Sequence, residues 1–291
     1  MKSLIILFSF LAFADVAFSQ KVTSNLKFEQ GQVFQIEMKT NTTIAQQAMG
    51  QAIDFKVDAN ANHSYTVTNS TADNTTLKHL IEQISFSFDG MGQKRKVDSK
   101  EEKDLNGQFG KPIKDLLDKK YDIVIDPAGK VLMAIPEKIQ LAETDSRMAI
   151  ITTMLKDVTD LVQPPQKGTG SFFKILPDTE TGKGEPWTNS YVNQSGKFDE
   201  AYTISDINDS TIVVDFVTSS ITVSKAEMMG SETTTTMNNK STGKIIIDRV
   251  TGIMKEKTAT TESNGNTEAS FGTLPVTSKT TVIIKIKPVS N

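Results

Sequence analysis

The residues that could carry out chemistry are few in this sequence. It contains no cysteine, and its two histidines are His63 and His79. The lack of cysteine excludes disulfides and thiolate metal sites. A three-ligand zinc site would need a carboxylate beside both histidines, and no His-Glu-x-x-His spacing occurs. We therefore predict surface or structural roles for the two histidines and no bound metal.

One oxygen-rich segment has the beginning of a calcium-binding loop. Asp58, Asn60 and Asn62 alternate with alanines, as the first ligands of such a loop alternate with other residues. His63 then stands where the loop needs Gly, and Asn69 stands where it needs a bidentate Glu. We interpret the segment as a polar hairpin turn.

The sequence patterns of known enzymes are missing or incomplete. Ser-x-x-Lys occurs three times, without a convincing helix and without the Ser-Asp-Asn and Lys-Thr-Gly elements that accompany it. No Gly-x-Ser-x-Gly, P-loop or dinucleotide-binding pattern occurs. The sequence therefore predicts no catalytic residues, no cofactor and a protein that is not an enzyme.

Charge gives no indication of nucleic-acid binding. The net charge is −3. The basic cluster at Lys94-Arg95-Lys96 is followed by Asp98, Glu101 and Glu102, a mixture typical of a solvated turn. We expect no nucleic-acid partner.

The N-terminus predicts export. Lys2 precedes an almost unbroken apolar run from Leu4 to Phe13, and Ala17-Phe18-Ser19 has the small residues of a cleavage site. The run is only ~10 residues long, and a membrane-spanning helix needs about 20. We predict that residues 1–19 are a signal peptide. The mature chain is expected in the periplasm, at the cell surface or outside the cell, without a membrane span or a cysteine-linked lipid.

Apolar and polar residues alternate with period two in many segments, which predicts strands with one wet face. Strands are predicted around 34–38, 53–57, 84–88, 121–125, 211–217, 221–224, 244–247 and 281–287. Asp126-Pro127-Ala128-Gly129 is typical of a turn.

The periodicity changes in the middle of the chain. Met148, Ile151, Leu155 and Val158 recur at spacings of three and four, which indicates a helix with a wide apolar face. Pro136 suits its first turn, so we predict one amphipathic helix over residues 136–162.

These patterns predict a mainly β fold with one long helix. The strands would form a large antiparallel sheet or an incomplete, half-open β-barrel or sandwich. The predicted organisation is a signal peptide (1–19), an N-terminal β half (20–135), the helix (136–162), a linker (163–186) and a C-terminal β half (187–291) packed with the first as one domain.

A weak internal repeat relates the two halves. Gly31 and Gly184 open them, Tyr65–Asn69 is echoed by Tyr202–Asp206, and Ile123–Asp126 is echoed by Ile245–Asp248. Either the halves are a duplication linked by the helix, or strand-rich segments match here by chance.

These segments also carry a family resemblance. The cleavage pattern before Gln20-Lys21, the Gly31 opening, the Ile123–Asp126 hairpin and the Gly184–Trp187 opening resemble uncharacterised secreted proteins of Bacteroidetes-type bacteria. That family is known only as a domain of unknown function. The resemblance implies an envelope location and a β-rich fold, and it implies no catalytic residues.

The remaining candidate site is apolar. We take Met148, Ile151, Leu155 and Val158 on the predicted helix, together with Trp187, as candidate ligand-binding residues, because Met-containing faces adapt to irregular ligands. The same residues would otherwise fill a core.

The first functional hypothesis is a non-catalytic envelope carrier for an apolar or amphipathic, lipid-like ligand. The alternative is a structural or protein-interaction module of the envelope with a filled core. A hydrolase with an unrecognised site comes last. The sequence does not indicate the oligomeric state.

We expect the exported protein to begin at Gln20. N-terminal sequencing and intact mass of the exported protein measure this directly. A mature chain that retains residues 1–19 would contradict the predicted localisation.

Overall fold

The computed structural model describes residues 20–48, 51–90, 92–107, 109–140, 155–193, 196–228, 231–270 and 272–289. The strands in these ranges are β1 (Lys21–Val22), β2 (Val33–Ala48), β3 (Gln51–Ser70), β4 (Thr75–Gly90), β5 (Gln93–Asp98), β6 (Lys120–Ile125), β7 (Val131–Ile135), β8 (Thr181–Gly182), β9 (Pro186–Asn193), β10 (Gly196–Ile207), β11 (Thr211–Met228), β12 (Ser231–Asp248), β13 (Met254–Ala269) and β14 (Gly272–Val289). The helices are α1 (Glu102–Leu105), α2 (Gly110–Leu117), α3 (Lys156–Thr159) and a 3-10 helix (Asp160–Val162).

One large antiparallel sheet contains strands from both halves of the chain. Its order is β7-β6-β4-β3-β2-β14-β13-β12-β11-β10-β9, with β5 paired to β4 as well. The first and last long strands, β2 and β14, are neighbours at the centre. The sheet is not closed, because β7 and β9 remain its two edges. The described part of the protein is therefore mainly β, with one large open sheet and a separate two-stranded sheet of β1 and β8.

Each half of the chain contributes one meander to this sheet. The first consists of β2, β3, β4, β6 and β7, and the second consists of β9 to β14. Tyr65–Asn69 lies at the end of β3 and Tyr202–Asp206 near the end of β10, so each belongs to the second strand of its meander. Ile123–Asp126 covers the end of β6 and the residue after it, and Ile245–Asp248 ends β12. Counted along the sheet from β2 and from β9, each is the fourth strand of its meander. The sequence echoes thus occupy equivalent places in the two meanders.

The alternation of side chains explains why the sheet curves around a core. In β2, Phe34, Ile36 and Met38 are buried on one face, which we call the inward face. Ile245 and Ile247 of β12, on the other side of the sheet, belong to the same buried cluster. One continuous buried cluster therefore includes side chains from both meanders. We infer that the inward face is concave at the end of the sheet that carries Phe34 and Ile247, which we call the closed end.

Two segments outside the large sheet, one with Phe28 and one with Phe173, cover the closed end. Phe173, which is fully buried, packs edge-on against Phe28 with ring centroids 5.4 Å apart. The N-terminal segment crosses the turns of both meanders: Leu26 N donates to Pro127 O (2.7 Å) and Lys27 N donates to Thr251 O (2.9 Å). The two glycine-containing turns are thereby joined through the N-terminal segment.

The approach of this segment requires glycine in the second turn. Gly252 has φ +71°, and a Cβ built there would lie 2.6 Å from the carbonyl oxygen of Asn25. A side chain at residue 252 would therefore combine backbone strain with a clash against the crossing segment.

The predicted long helix over residues 136–162 is wrong. Residues 136–140 are not helical, and helical structure in the described part of this stretch is limited to α3 and the 3-10 helix. Residues 141–154, with Met148 and Ile151, lie outside the described residues. None of the helices in the described ranges has the length and apolar character that crossing a bilayer requires.

The physical reason is that side chains satisfy the backbone here. Gln163 accepts from Ile139 N (3.3 Å) and donates to Ile139 O (3.0 Å), as a paired strand would. Ile139, Leu155, Val158 and Val162 are all buried in the core of the sheet. Their spacing therefore reflects burial against the sheet. A short helix and irregular backbone can bury these side chains as well as a long helix could.

The interpretation of residues 58–62 as a hairpin turn is also wrong, because they lie inside β3. Ala59 and Ala61 are buried on the inward face, while Asn62 Nδ2 donates to Gln83 Oε1 of β4 at 3.1 Å. Period-two burial of the alanines overrides the turn preference of Asp and Asn.

We expect Leu155→Ala to lower the free energy of unfolding by about 2–5 kcal/mol, because Leu155 is 5% exposed and packed in the core. Leu132→Ala in β7, where the same side chain is 40% exposed, is the matched control and should cost a fraction of this. Denaturant titration measures both. Equal losses would show that Leu155 is not packed as described.

Candidate functional site

A layer of histidine and tyrosine side chains lies on the inward face near the closed end. Tyr65 of β3, His79 of β4 and Tyr121 of β6 are directly opposite one another in neighbouring strands. His63 precedes Tyr65 by two residues and shares its face. His79 stacks on Tyr121 with ring centroids 4.5 Å apart. His63, Tyr65, His79 and Tyr121 are all buried.

Hydrogen bonds through this layer define the histidine tautomers. His63 Nε2 lies 2.8 Å from Val158 O, and a carbonyl only accepts, so Nε2 carries the hydrogen. In the neutral ring, His63 Nδ1 then accepts from His79 Nε2, 3.0 Å away. His79 Nδ1 is left as a buried acceptor without a hydrogen-bond partner.

The two tyrosines form a second series of hydrogen bonds. Tyr121 OH donates to Leu161 O at 2.7 Å. Tyr65 OH, 2.8 Å from the Tyr121 oxygen, therefore donates to it. Carbonyls at the C-terminal end of a helix lack intrahelical donors. His63 and Tyr121 supply donors to Val158 and Leu161, which holds the segment 155–162 against the sheet.

Both histidines are kept neutral by their surroundings. Burial lowers the pKa of His63 to about 4, although the bond to Val158 opposes the shift. Burial and then the neighbouring His63 lower the pKa of His79 to about 3. With its members buried, the layer has no free surface for a ligand, and we assign it a structural role.

The wing of the sheet that ends at β9 presents a different inward surface. It carries Trp187 and Tyr191 of β9, Phe198 and Tyr202 of β10, and Phe216 of β11, which we call the aromatic strip. Trp187 stacks on Tyr202 (5.4 Å, 13° between planes), and Tyr191 stacks on Phe198 (4.9 Å, 11°). The pairing register of β9, β10 and β11 brings these five rings together.

The strip is incompletely covered. Phe216 is buried, Trp187, Phe198 and Tyr202 are half-buried, and Tyr191 is 43% exposed. In the same transverse row of the sheet, Ala259, Thr40 and Ala59 are buried. Gly243 of β12 and Val282 of β14, in the same row, are half-buried, so the inward face is most covered over β2 and β3 and most exposed over β9.

Charged groups accompany the strip. Glu200 lies between the two stacked pairs and accepts a hydrogen bond from Tyr202 OH at 3.1 Å. Lys257 Nζ lies 5.0 Å from the centre of the Phe216 ring, a cation–π contact. Burial lowers the pKa of Lys257, and Glu200, Asp157 and Asp160 oppose the shift. The strip thus combines flat apolar rings with one amine and nearby carboxylates.

Towards the hairpin tips the inward face becomes rich in hydroxyl groups. Thr42 and Thr280 are hydrogen-bonded across β2 and β14 at 3.0 Å, and Ser241 and Thr261 across β12 and β13 at 2.7 Å. Asn239 donates to Ser220 of β11 at 3.1 Å. The concave surface therefore passes from apolar to hydroxyl-lined along the strands.

Two hollows are also lined by outward-facing residues. One, of about 380 Å³, includes Lys39, Asn41 and Asp58, and another, of about 840 Å³, includes Lys56 and Lys279. Lys56 lies 3.7 Å from Asp58, and Lys279 lies 3.0 Å from Glu262, both in exposed ion pairs. Neither hollow contains an aromatic-strip residue. We therefore base the candidate site on the strip.

The predicted site residues fall in two places. Leu155 and Val158 are buried in the core beneath the histidine–tyrosine layer. Trp187 lies in the aromatic strip, and Met148 and Ile151 lie outside the described residues. Among the residues that the structure describes, no three His, Cys, Asp or Glu side chains gather where they could hold a metal ion.

The sequence reasoning missed four residues of the strip. Tyr191, Phe198, Tyr202 and Phe216 lie on three consecutive strands, and the pairing register places them on one surface. The signal available was an aromatic residue at every fourth position in the two segments Trp187–Tyr191 and Phe198–Tyr202, a spacing that keeps both on one face of a strand.

The family of unknown function DUF6263 matches residues 72–254, more than half of the chain. The chain belongs to this family. The matched region extends from just before β4 to the beginning of β13, so it includes the whole aromatic strip. No curated protein matches the sequence.

Several solved structures are similar to the chain at low identity. A structure of lipid–protein interactions in lipovitellin is 12% identical over 91% of this chain, with a TM-score of 0.47; this chain spans 26% of that one. An outer membrane channel from Pseudomonas putida F1 is 8% identical over 90% of this chain and 98% of its own, with a TM-score of 0.28. DynF from the dynemicin biosynthesis pathway of Micromonospora chersina is 8% identical over 93% of this chain and 85% of its own, with a TM-score of 0.22. Similarity at this level carries no statement about function.

We expect stability to fall as the pH is lowered from about 6.5 towards 4. The unfolded histidines take up protons near pH 6.5, whereas the folded ones, with pKa values of about 4 and 3, do not. Each histidine then contributes a slope of up to about 1.4 kcal/mol per pH unit. Urea unfolding at a series of pH values measures the slope.

The control is His79→Phe, which keeps a ring beside Tyr121 and removes one titrating group. It should reduce the slope between pH 6.5 and 5 by about half. Unchanged stability of the wild type across this window would contradict neutral, buried histidines.

Proposed function

We propose that this protein is a non-catalytic carrier that holds an apolar or amphipathic ligand against the aromatic strip. The observation that supports this most is the uneven coverage of the inward face, which is most covered over β2 and β3 and most exposed over β9. Contiguous exposed apolar surface on a soluble protein is typical of a binding site.

The strip suits the apolar part of a ligand. Burial of apolar surface contributes about 25 cal/mol per Å², and stacked aromatic rings present broad, rigid surfaces. The two stacked pairs lie four residues apart along β9, which corresponds to about 13 Å. A ligand that touches both pairs would therefore be an acyl chain or a fused ring system of at least this length.

The adjoining surface suits a polar head group. Ser241 of β12 and Thr261 of β13 are half-buried and hydrogen-bonded to each other, and their oxygens retain lone pairs for a further bond. Glu200 can accept from a ligand hydroxyl or amine beside the rings. These groups favour an amphipathic ligand with hydrogen-bonding groups at one end.

The place of action belongs to the same proposal. The positive residue, apolar run and cleavage pattern within residues 1–19 support export, so the carrier would act in the envelope or outside the cell. A carrier that shields apolar surface from water would suit such a compartment.

A specific observation also favours the second candidate, a structural or interaction module. Leu155, Val158 and Phe173 fill the closed end of the sheet, where each is at most 5% exposed. If the aromatic strip takes up no ligand, this filled core would be the main contribution of the inward face.

Trp187 allows a direct test, because it is the only tryptophan in the chain. Brominated stearic acid quenches tryptophan fluorescence on contact. We expect saturable quenching of Trp187 by brominated stearic acid below the concentration at which it aggregates, and competition by unbrominated stearic acid. Absence of saturable quenching, with an apolar uncharged brominated probe giving the same result, would exclude the carrier and favour the structural module.

Two variants locate the binding. Phe198→Ala removes a ring that stacks on Tyr191 and not on Trp187, so the reporter keeps its own stacking partner. Loss of one ring contact should weaken binding about 2- to 10-fold, the equivalent of 0.5–1.5 kcal/mol. Ile221→Ala removes apolar surface from the outward face of the same wing and should leave binding unchanged. Equal effects of the two variants would place the ligand elsewhere.

A further inference from the structure

Strand β9 is an exposed edge of the sheet without the usual protection. It pairs with β10 from Pro186↔Thr203 to Asn193↔Gly196, and no strand of the described part of the chain pairs with its other side. Edge strands are normally protected by charged side chains, by proline or by short length. β9 has one proline, Pro186 at its first position, and its other residues keep their N–H groups. β9 has eight residues and no Lys, Arg, Asp or Glu, and its Val192 is 76% exposed.

The opposite edge is protected. β7 has five residues and is followed by Pro136, which has no N–H to donate. Val131 at its beginning is already bonded: its N–H donates to Thr169 O and its carbonyl accepts from Gly168 N, both at 2.8 Å. β5 pairs with β4 alone, has six residues and carries Lys94, Arg95 and Lys96. Among the described strands of the large sheet, β9 is therefore the long free edge without charged side chains.

The sequence of β9 is a chemical palindrome centred on Asn189. Reading outwards from Asn189, the neighbours are hydroxyls (Thr188 and Ser190), then aromatic rings (Trp187 and Tyr191), then apolar residues (Pro186 and Val192). Directly opposite residues of antiparallel strands share one face and lie close enough to interact. Two copies of β9 related by a twofold axis at Asn189 would thus pair like with like.

We propose that β9 pairs antiparallel with β9 of a second copy of this chain, with the twofold axis perpendicular to the sheet at Asn189. Trp187 then faces Tyr191 of the partner subunit on the inward side. Thr188 faces Ser190 of the partner subunit on the outward side. The absence of charge along β9 means that the pairing brings no like charges together, and the palindrome selects a second copy over an unrelated peptide.

The pairing would also extend the candidate site. Tyr191 of the partner subunit continues the row formed by Phe216, Tyr202 and Trp187, so the two aromatic strips become one surface across the axis. The pairing itself does not depend on a ligand, and its test is separate from the test of the carrier.

Sedimentation velocity and light scattering on the full mature chain test the proposal. We expect the mass of two chains for the wild type. Asn189→Lys places two ammonium groups directly opposite each other at the axis, and this variant should have the mass of one chain. Asn238→Lys, the same change at an exposed position of β12 away from both edges, should remain a dimer.

A complementary mixture strengthens the assignment. Asn189→Lys mixed with Asn189→Asp should restore a dimer containing one chain of each, because the opposite residues then attract. Circular dichroism checks that each variant is folded. A monomeric wild type at its highest soluble concentration, or an Asn189→Lys variant that stays folded and dimeric, would overturn the proposal.

Discussion

The pairing of β2 with β14 is the constraint on which the rest of the sheet depends. It joins the two meanders over fourteen residue pairs, from Val33↔Val289 to Gln46↔Val276. Without it, each meander would have its own inward face and too little material to cover it. With it, Ile36 and Ile284 become part of one cluster with Ile245 on one side and Tyr65 on the other. The concave shape and the shared core both follow from this central pair.

The inward faces of the two wings of the sheet are covered in different ways. On the β3–β4–β6 wing, the segment 155–162 covers the sheet, and His63 and Tyr121 bind its carbonyl groups. On the β9–β10 wing the rings cover one another only in pairs and remain accessible. The buried network on the β3–β4–β6 wing needs hydrogen-bond partners for its polar side-chain atoms, and all of them except His79 Nδ1 have one, so we regard it as a fixed structural element. Stacked rings at an open edge have no such requirement, and this is the wing to which we assign the ligand in our proposal.

The sequence allowed the strands to be predicted because alternation is a local signal: Phe34, Ile36 and Met38 are buried as their spacing requires. The prediction failed where the contacts that bury a residue come from other segments of the chain. The spacing of Leu155 and Val158 matched a helix, but the helix described there is only α3 and the 3-10 turn after it, and both side chains are buried against the sheet. The aromatic strip could not be predicted, because the stacking of Trp187 on Tyr202 depends on the register between two strands. The sequence of one strand does not specify that register.

The crossing of the N-terminal segment over the two turns has a consequence for biogenesis. Residues 26 and 27 leave the ribosome and any export channel early, yet their backbone partners are Pro127 and Thr251. The closed end therefore cannot assemble until nearly the whole chain has emerged. Folding dominated by such distant contacts is slow, and it leaves strand edges and apolar surface exposed in the meantime. In a chain with this topology, those edges and that apolar surface stay uncovered until Thr251 is available to pair with Lys27.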